Sequence, residues 1–309
     1  MAKPVSARLT PDVLIVGAGP AGLTAATYLA RFRRSVLVAD GGAPRACWIP
    51  LTHNTPGFPH GVTGEAILQR MTAQAREFGV TVRQGRVETI TPASEGFEAM
   101  LDGEALRVRG VVLATGVVDR VPDLPGVERA VERALVRICP ICDAYEAVDK
   151  AVAVIGHDDK GAREAAFLRT YSERVTLIHV GAPEALTQRD ALARMGVEVI
   201  EAAIDDVVLE QDRVIALGWG GRRRAFDLVY SALGTSPSNE LARALGAELG
   251  PDGRLIVDEH QQTRVPGLYA AGDVVRGLNQ IAVATAEAAV AAVALHNRLR
   301  RIDGLTLPD

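Results

Sequence analysis

The run from Asp12 to Asp40 constrains the fold more than any other part of this chain. Asp12-Val13-Leu14-Ile15-Val16 is short and almost wholly apolar, the pattern of a parallel strand buried on both faces. Gly17-Ala18-Gly19-Pro20-Ala21-Gly22 follows without a gap and has the spacing G-x-G-x-x-G. Residues 23–31, rich in alanine and leucine, then read as a helix, and residues 35–39 as a second strand with Asp40 at its end. Each residue type has a task in a nucleotide-binding βαβ unit. Gly17 makes the tight turn, Gly19 lets the backbone approach a pyrophosphate, and Gly22 lets the helix lie close to the strand. The helix N-terminus turns free N–H groups toward the phosphates, and Asp40 can hold a ribose hydroxyl pair.

The pattern returns later. Residues 151–155 are again an apolar strand, residues 161–170 a helix and residues 174–180 a strand. Here the turn reads Gly156-His157-Asp158-Asp159-Lys160-Gly161, with Asp158 in place of the middle glycine. The next strand ends in His179-Val180-Gly181, which offers neither an acid for a ribose nor an arginine pair for a 2′-phosphate. Residues 41–71 are rich in Pro and Gly, and residues 65–78 read as an amphipathic helix. Residues 81–83 and 108–114 read as strands, the latter running into Ala114-Thr115-Gly116. Two more strands, over residues 226–234 and 268–273, end in glycine; the second closes on Gly272-Asp273 and leads into an alanine-rich helix over residues 280–299. Asp273 can accept from the ribityl chain of a flavin dinucleotide, and the helix end near Gln280 can face the flavin's electron-rich edge. The expected fold class is α/β, with two three-layer, Rossmann-like nucleotide-binding domains, the second inserted into the first. Residues 1–120 and 245–309 make the FAD-binding domain, and residues 121–244 an NADPH-domain-like insertion.

Chemistry enters at Cys139-Pro140-Ile141-Cys142-Asp143. Two of the chain's three cysteines sit here, spaced to close and reopen a small disulfide ring, with a carboxylate directly behind them. A structural zinc wants four ligands, but no second Cys-x-x-Cys exists and the six histidines are scattered singly. The pair is therefore read as redox-active, no metal is expected, and the nucleotide fold supplies the electron carrier. Cys47, in Ala46-Cys47-Trp48, reads as a small buried hydrophobe rather than a third redox thiol.

Composition removes other classes. With 34 basic and 38 acidic side chains the net charge is −4, and no basic face for nucleic acid is expected. No run of about eighteen apolar residues is present, so no membrane span is expected, and the N-terminal residues lack the apolar core of a signal peptide. Few cysteines and no export signal make the reducing cytoplasm the expected compartment, where such a pair is catalytic or metal-binding more often than structural.

In their order and spacing, GAGPAG at 17–22, HNTPGFP at 53–59, ATG at 114–116, CPICD at 139–143, GTSP at 234–237 and AAGDV at 270–274 resemble the landmarks of the low-molecular-weight thioredoxin reductases, over nearly the whole chain. The resemblance implies a homodimeric, FAD-dependent disulfide oxidoreductase with the cysteine pair in its second domain. It implies that Cys142 faces the flavin, that Cys139 attacks the partner disulfide, and that Asp143 gives and takes the proton. It also implies an FAD lined by Gly17, Gly19, Pro20, Ala21, Gly22, Asp40, Asn54, Val87, Thr115, Gly116, Gly272, Asp273, Gln280 and Ile281. Where the family carries G-G-G-x-S/T-A and His-Arg-Arg, this chain has GHDDKG and His179-Val180-Gly181. In this it is similar to the ferredoxin-linked or deeply rooted branches that lack the NADPH motif. The expected donor is not NADPH, ferredoxin being one candidate, and the expected acceptor is a thioredoxin-like protein or a small disulfide. Three alternatives stay open: an NADPH-dependent thioredoxin reductase, a dithiol oxidase (a branch often carrying His where Asp143 stands), and a flavin redox sensor without turnover. The intact Cys139, Cys142 and Asp143 weigh against the last.

Overall fold

The computed structural model describes residues 11–42, 44–122, 127–132, 135–210, 213–275 and 277–307. The chain divides into two compact units: Met1–Cys47 with Glu65–Val117 and Pro237–Asp309, and Trp48–Gly64 with Val118–Ser236.

The first unit is built on a five-stranded parallel sheet in the order Leu268–Ala270, Gly110–Leu113, Val13–Val16, Val36–Asp40, Thr81–Gln84. Val13–Val16 lies at its centre with all four residues buried, which is why its sequence does not alternate. Val13 and Ile15 share a core with helices Pro20–Arg31 and Ile281–Ile302. Those helices meet through small residues, Ala21, Ala25 and Ala26 on one and Ala284, Ala288, Ala291 and Ala292 on the other. On the opposite face, Leu14, Val16, Val111 and Leu113 pack with an antiparallel meander, Val87–Ala93, Gly96–Leu101 and Glu104–Val108. Helix layer, parallel sheet and meander are the three layers.

The second unit repeats the plan. Its parallel sheet runs Glu198–Glu201, Val175–His179, Val152–Gly156, Leu228–Ala232, Val136–Arg137. Val152, Val154 and Leu177 pack with helix Asp159–Leu168, whereas Ala153, Ile155 and Ile178 share a second core with Leu217 of the meander Asp206–Glu210, Arg213–Trp219, Arg222–Arg224. The outermost strand differs between the units. In the first it comes from the C-terminal part of the chain, and in the second from Val136–Arg137, two residues before Cys139. The expected α/β class with two Rossmann-like folds is therefore present. The meanders go beyond the sequence reading, because a strand such as Val87–Ala93 carries Pro92 and interleaves polar residues, which demotes it by pattern. Among the described residues, no helix is long and apolar enough to cross a membrane.

Candidate active site

In the first unit the strand, turn and helix are drawn tight. Gly17 has φ +111°, and its N–H donates to the Ala39 carbonyl at 2.9 Å. A Cβ at Gly17 would lie 2.2 Å from the Ala114 carbonyl oxygen, and one at Gly22 would lie 1.9 Å from that of Gly17, so neither position admits a side chain. At Gly19 a Cβ would meet nothing within 4 Å, so the space over the turn is open. Helix Pro20–Arg31 starts there with no side-chain cap and no acid in its first turn. Its positive end is left for an anion. Gly272, at φ +82°, closes on the same helix end: a Cβ on it would sit 3.0 Å from that of Ala21. An open turn beside an uncapped helix end fits the pyrophosphate of an FAD, the group that the resemblance implies.

Other expected contacts are placed as follows. Asp40 ends its strand with Oδ1 accepting from Gly42 N–H at 3.0 Å and Oδ2 from Gln84 Nε2 at 2.7 Å. Thr115 Oγ1 donates to the Ser238 carbonyl at 2.6 Å, and the Gly116 carbonyl accepts from Ser238 N–H at 3.0 Å. Gln280 stands at the N-cap position, without a side-chain capping bond, and Ile281 begins the last long helix. Val87 is buried in the core shared with the meander. Asn54 belongs to the other unit, where it is exposed and accepts from Thr52 Oγ1 at 2.7 Å. Three further residues shape the Gly272–Asp273 loop and follow from no motif. Arg45 pairs with Asp273 at 3.3 Å, Glu287 accepts from Gly272 N–H at 2.8 Å, and Arg254 donates to Asn279 Oδ1 at 2.8 Å and to the Asp273 and Val275 carbonyls. Cys47 departs from expectation. It is exposed, because the short turn Arg45–Trp48 buries Ala46 instead. Desolvation, then the charges of Glu65 and Asp40, push its thiol pKa up, which disfavours the reactive thiolate.

In the second unit Cys139 and Cys142 form a disulfide with Cα atoms 5.3 Å apart. Cys139 is the N-cap of the single helical turn Pro140–Asp143, with Pro140 at the first position where its missing N–H costs nothing. Asp143 ends that turn. Arg137 Nη1 donates to its Oδ2 at 2.6 Å, and Tyr230 OH donates to its Oδ1 at 2.9 Å. Burial pushes the Asp143 pKa up; Arg137 and Tyr230 oppose the rise without cancelling it. Ile141, Tyr145 and Val148 are exposed around the motif.

The second glycine-turn position is built with opposite electrostatics. Asp158 is extended (φ −157°) and caps helix Asp159–Leu168, its side chain accepting from Lys160 N–H at 2.8 Å. Asp159, in the first turn, accepts from Thr187 N–H at 2.8 Å and Thr187 Oγ1 at 2.6 Å. A Cβ on Gly181 would lie 2.1 Å from the His157 carbonyl oxygen, so that one of the two positions where the resembled reductases carry arginine admits no side chain. Burial, then Asp158 and Asp119, push the Glu164 pKa up to about 7. A carboxyl raised this way favours folding fully only below the ordinary glutamate range, and that contribution is lost as pH rises through about 7. Glu164→Gln, which keeps the neutral shape, is expected to gain about 3 kcal/mol over the parent at pH 8 and little at pH 4. Denaturant unfolding at both pH values measures this; an equal effect at both would refute the cause given.

Three comparisons bear on these sites. The family model described as pyridine nucleotide-disulphide oxidoreductase matches residues 11–288. A thioredoxin reductase of Aquifex aeolicus is 32% identical over 308 residues, covering 92% of each chain. Among solved structures, HlmI is 32% identical with a TM-score of 0.88 over 98% of this chain and 96% of its own. The thioredoxin reductase from Streptococcus pyogenes MGAS5005 is 27% identical with a TM-score of 0.87, over 94% and 98%.

Proposed function

The chain belongs to the pyridine nucleotide-disulphide oxidoreductase family and is a flavin disulfide oxidoreductase of thioredoxin reductase type, and from that premise we propose that it reduces a thioredoxin-like protein with electrons from a donor other than NADPH. The Gly17–Gly22 turn, Asp40 and the Gly272–Asp273 loop would hold the FAD, which would supply two-electron exchange with the cysteine pair. The residues of the chain do the rest. Reduced Cys139 attacks the partner disulfide; one enzyme–partner S–S bond forms and the partner's S–S breaks. Asp143 provides the proton for the departing thiolate. Cys142 then attacks the mixed bond, closing Cys139–Cys142 and freeing the second partner thiol. Exposed Ile141, Tyr145 and Val148 supply apolar contact for a protein partner. The proposed working form is a homodimer, with ferredoxin one candidate donor.

The single observation behind the choice of donor is the contrast between two helix ends at equivalent turns. That of Pro20–Arg31 is uncapped and free of acid, whereas that of Asp159–Leu168 is capped by Asp158 with Asp159 beside it. A carboxylate about 5 Å from one phosphate charge costs about 3 kcal/mol at an effective dielectric near 20, roughly two decades of affinity. At Gly181, one of the two positions where the family carries arginine, no arginine can stand without moving the backbone. The test is anaerobic reduction of the purified protein, expected to be yellow with non-covalent FAD. Dithionite or reduced ferredoxin should bleach it promptly, and millimolar NADPH should do so negligibly over minutes. Rapid bleaching by micromolar NADPH would restore the NADPH-dependent reading, and a colourless protein that takes up no FAD would remove the flavin.

A further inference from the structure

We propose that Arg137 and Tyr230 are positioning residues for disulfide exchange, holding the Asp143 carboxylate at the end of the Cys139–Cys142 turn and governing when it carries its proton. This rests on the disulfide-exchange reading above and adds two residues that no motif marks.

The arrangement is made by sheet register. Val136–Arg137 runs parallel to Leu228–Ala232, with Tyr230 directly beside Arg137. Neighbours in register send their side chains to the same face of the sheet. Two residues beyond Arg137 the chain reaches Cys139 and turns, and Pro140–Asp143 carries Asp143 back to both side chains. Each carboxylate oxygen thus receives a donor from a different strand: Arg137 on Oδ2 at 2.6 Å, Tyr230 on Oδ1 at 2.9 Å. Tyr230 is fully buried, and its OH also lies 3.2 Å from the Asp143 carbonyl. Burial, then the Asp143 charge, push the Tyr230 pKa far above the usual tyrosine range, so it remains a neutral donor. Arg137 presents one N–H to Asp143 while its buried Nε has no hydrogen-bond partner. A purely structural ion pair gains nothing from a buried unpaired donor, which is ordinarily costly.

The charged groups bearing on Asp143 are Arg137 from the edge strand and Glu146 from the following turn; the first favours the carboxylate and the second disfavours it. Exchange needs both forms. When a dithiol reduces the enzyme, its thiolate attacks one cysteine sulfur, the Cys139–Cys142 bond breaks, and the departing thiolate takes the Asp143 proton. The dithiol's second thiol then closes its own disulfide, and the second cysteine leaves as a thiol. Two electrons and one proton move from the dithiol monoanion to the enzyme; the second proton is that of Asp143, which is reset from solvent. A buried carboxyl without Arg137 and Tyr230 would hold its proton more tightly and give it less readily to the departing thiolate.

The experiment follows reduction of the purified enzyme's disulfide by excess dithiothreitol, with acid quench and thiol alkylation, across pH. Rates are divided by the thiolate fraction of dithiothreitol at each pH, which removes the reagent's ionisation and leaves the parent's own profile to compare with. Asp143→Asn identifies the limb of the profile that Asp143 controls. Arg137→Gln is expected to move that limb up by about one pH unit or more, and Tyr230→Phe upward by less. Arg137→Lys, which keeps the charge, should leave it near the parent's. In an Asp143→Asn background both substitutions should change the rate by less than about twofold, since they act through Asp143. An unmoved limb in the single variants, or an undiminished effect in the Asp143→Asn background, would overturn the inference. Failure of the parent to be reduced by dithiothreitol at any pH would instead sink the disulfide-exchange reading, and the inference with it.

Discussion

Replacing Cys142 by serine is expected to stop turnover, by about 10⁴-fold or more as for loss of one member of a catalytic unit, and to leave Cys139 free to be trapped. Cys139 is the N-cap of the one-turn helix and Cys142 lies within it, its N–H donating to the Cys139 carbonyl at 3.0 Å. With Cys142 absent, a mixed disulfide between Cys139 and a partner has no resolving thiol. The probe is a single-cysteine thioredoxin whose thiol carries a chromogenic leaving group. Cys142→Ser should release the chromophore and form a stable adduct seen on a non-reducing gel. Cys139→Ser should do neither at a comparable rate. The opposite result would exchange the roles of the two cysteines. Adducts with both or with neither would remove the assignment of Cys139 as the sulfur that meets the partner.

Asp143→Asn is expected to slow exchange about 10²–10⁴-fold, the usual worth of one acid–base group, while the disulfide still forms. Asparagine keeps the shape and still accepts through its amide oxygen, so the loss falls on proton transfer. Because burial raises the Asp143 pKa, the parent carries its proton to a higher pH than an ordinary aspartate would. Its advantage over Asp143→Asn as an acid should therefore shrink as pH rises through that raised pKa. Stopped-flow exchange rates at fixed dithiol concentration would show this. A variant as fast as the parent at every pH would take Asp143 out of the mechanism.

Not all of the site was open to reading from the chain. Gly17, Gly19 and Gly22 declare themselves because each serves a local need: a positive φ, an open approach, or a close strand–helix contact. In the sequence Asp158 stands only as a side chain in place of the middle glycine. The structure adds that its side chain occupies the helix end by capping it. Cys47 reads as buried by residue type yet is exposed, because burial depends on which face a short turn presents, and here Ala46 takes the inner one. Arg254 and Glu287 carry no signal, since an arginine or glutamate that clamps a loop looks in sequence like any solvated charge.

The sequence by itself determined the two βαβ units, the cysteine pair with its trailing acid, and the loss of glycine and arginine at the second nucleotide position. Those features act over a few neighbouring residues, where hydrophobic period, backbone freedom and helix-end N–H groups suffice. Only the tertiary structure decided what surrounds Asp143. Arg137 and Tyr230 are separated by a whole βαβ unit and become neighbours because Val136–Arg137 joins the sheet beside Leu228–Ala232 in that register. A strand slipped by one residue would send Tyr230 to the other face and leave the carboxylate without its donor. Register is set by packing of the whole sheet, and no local pattern in the chain records it.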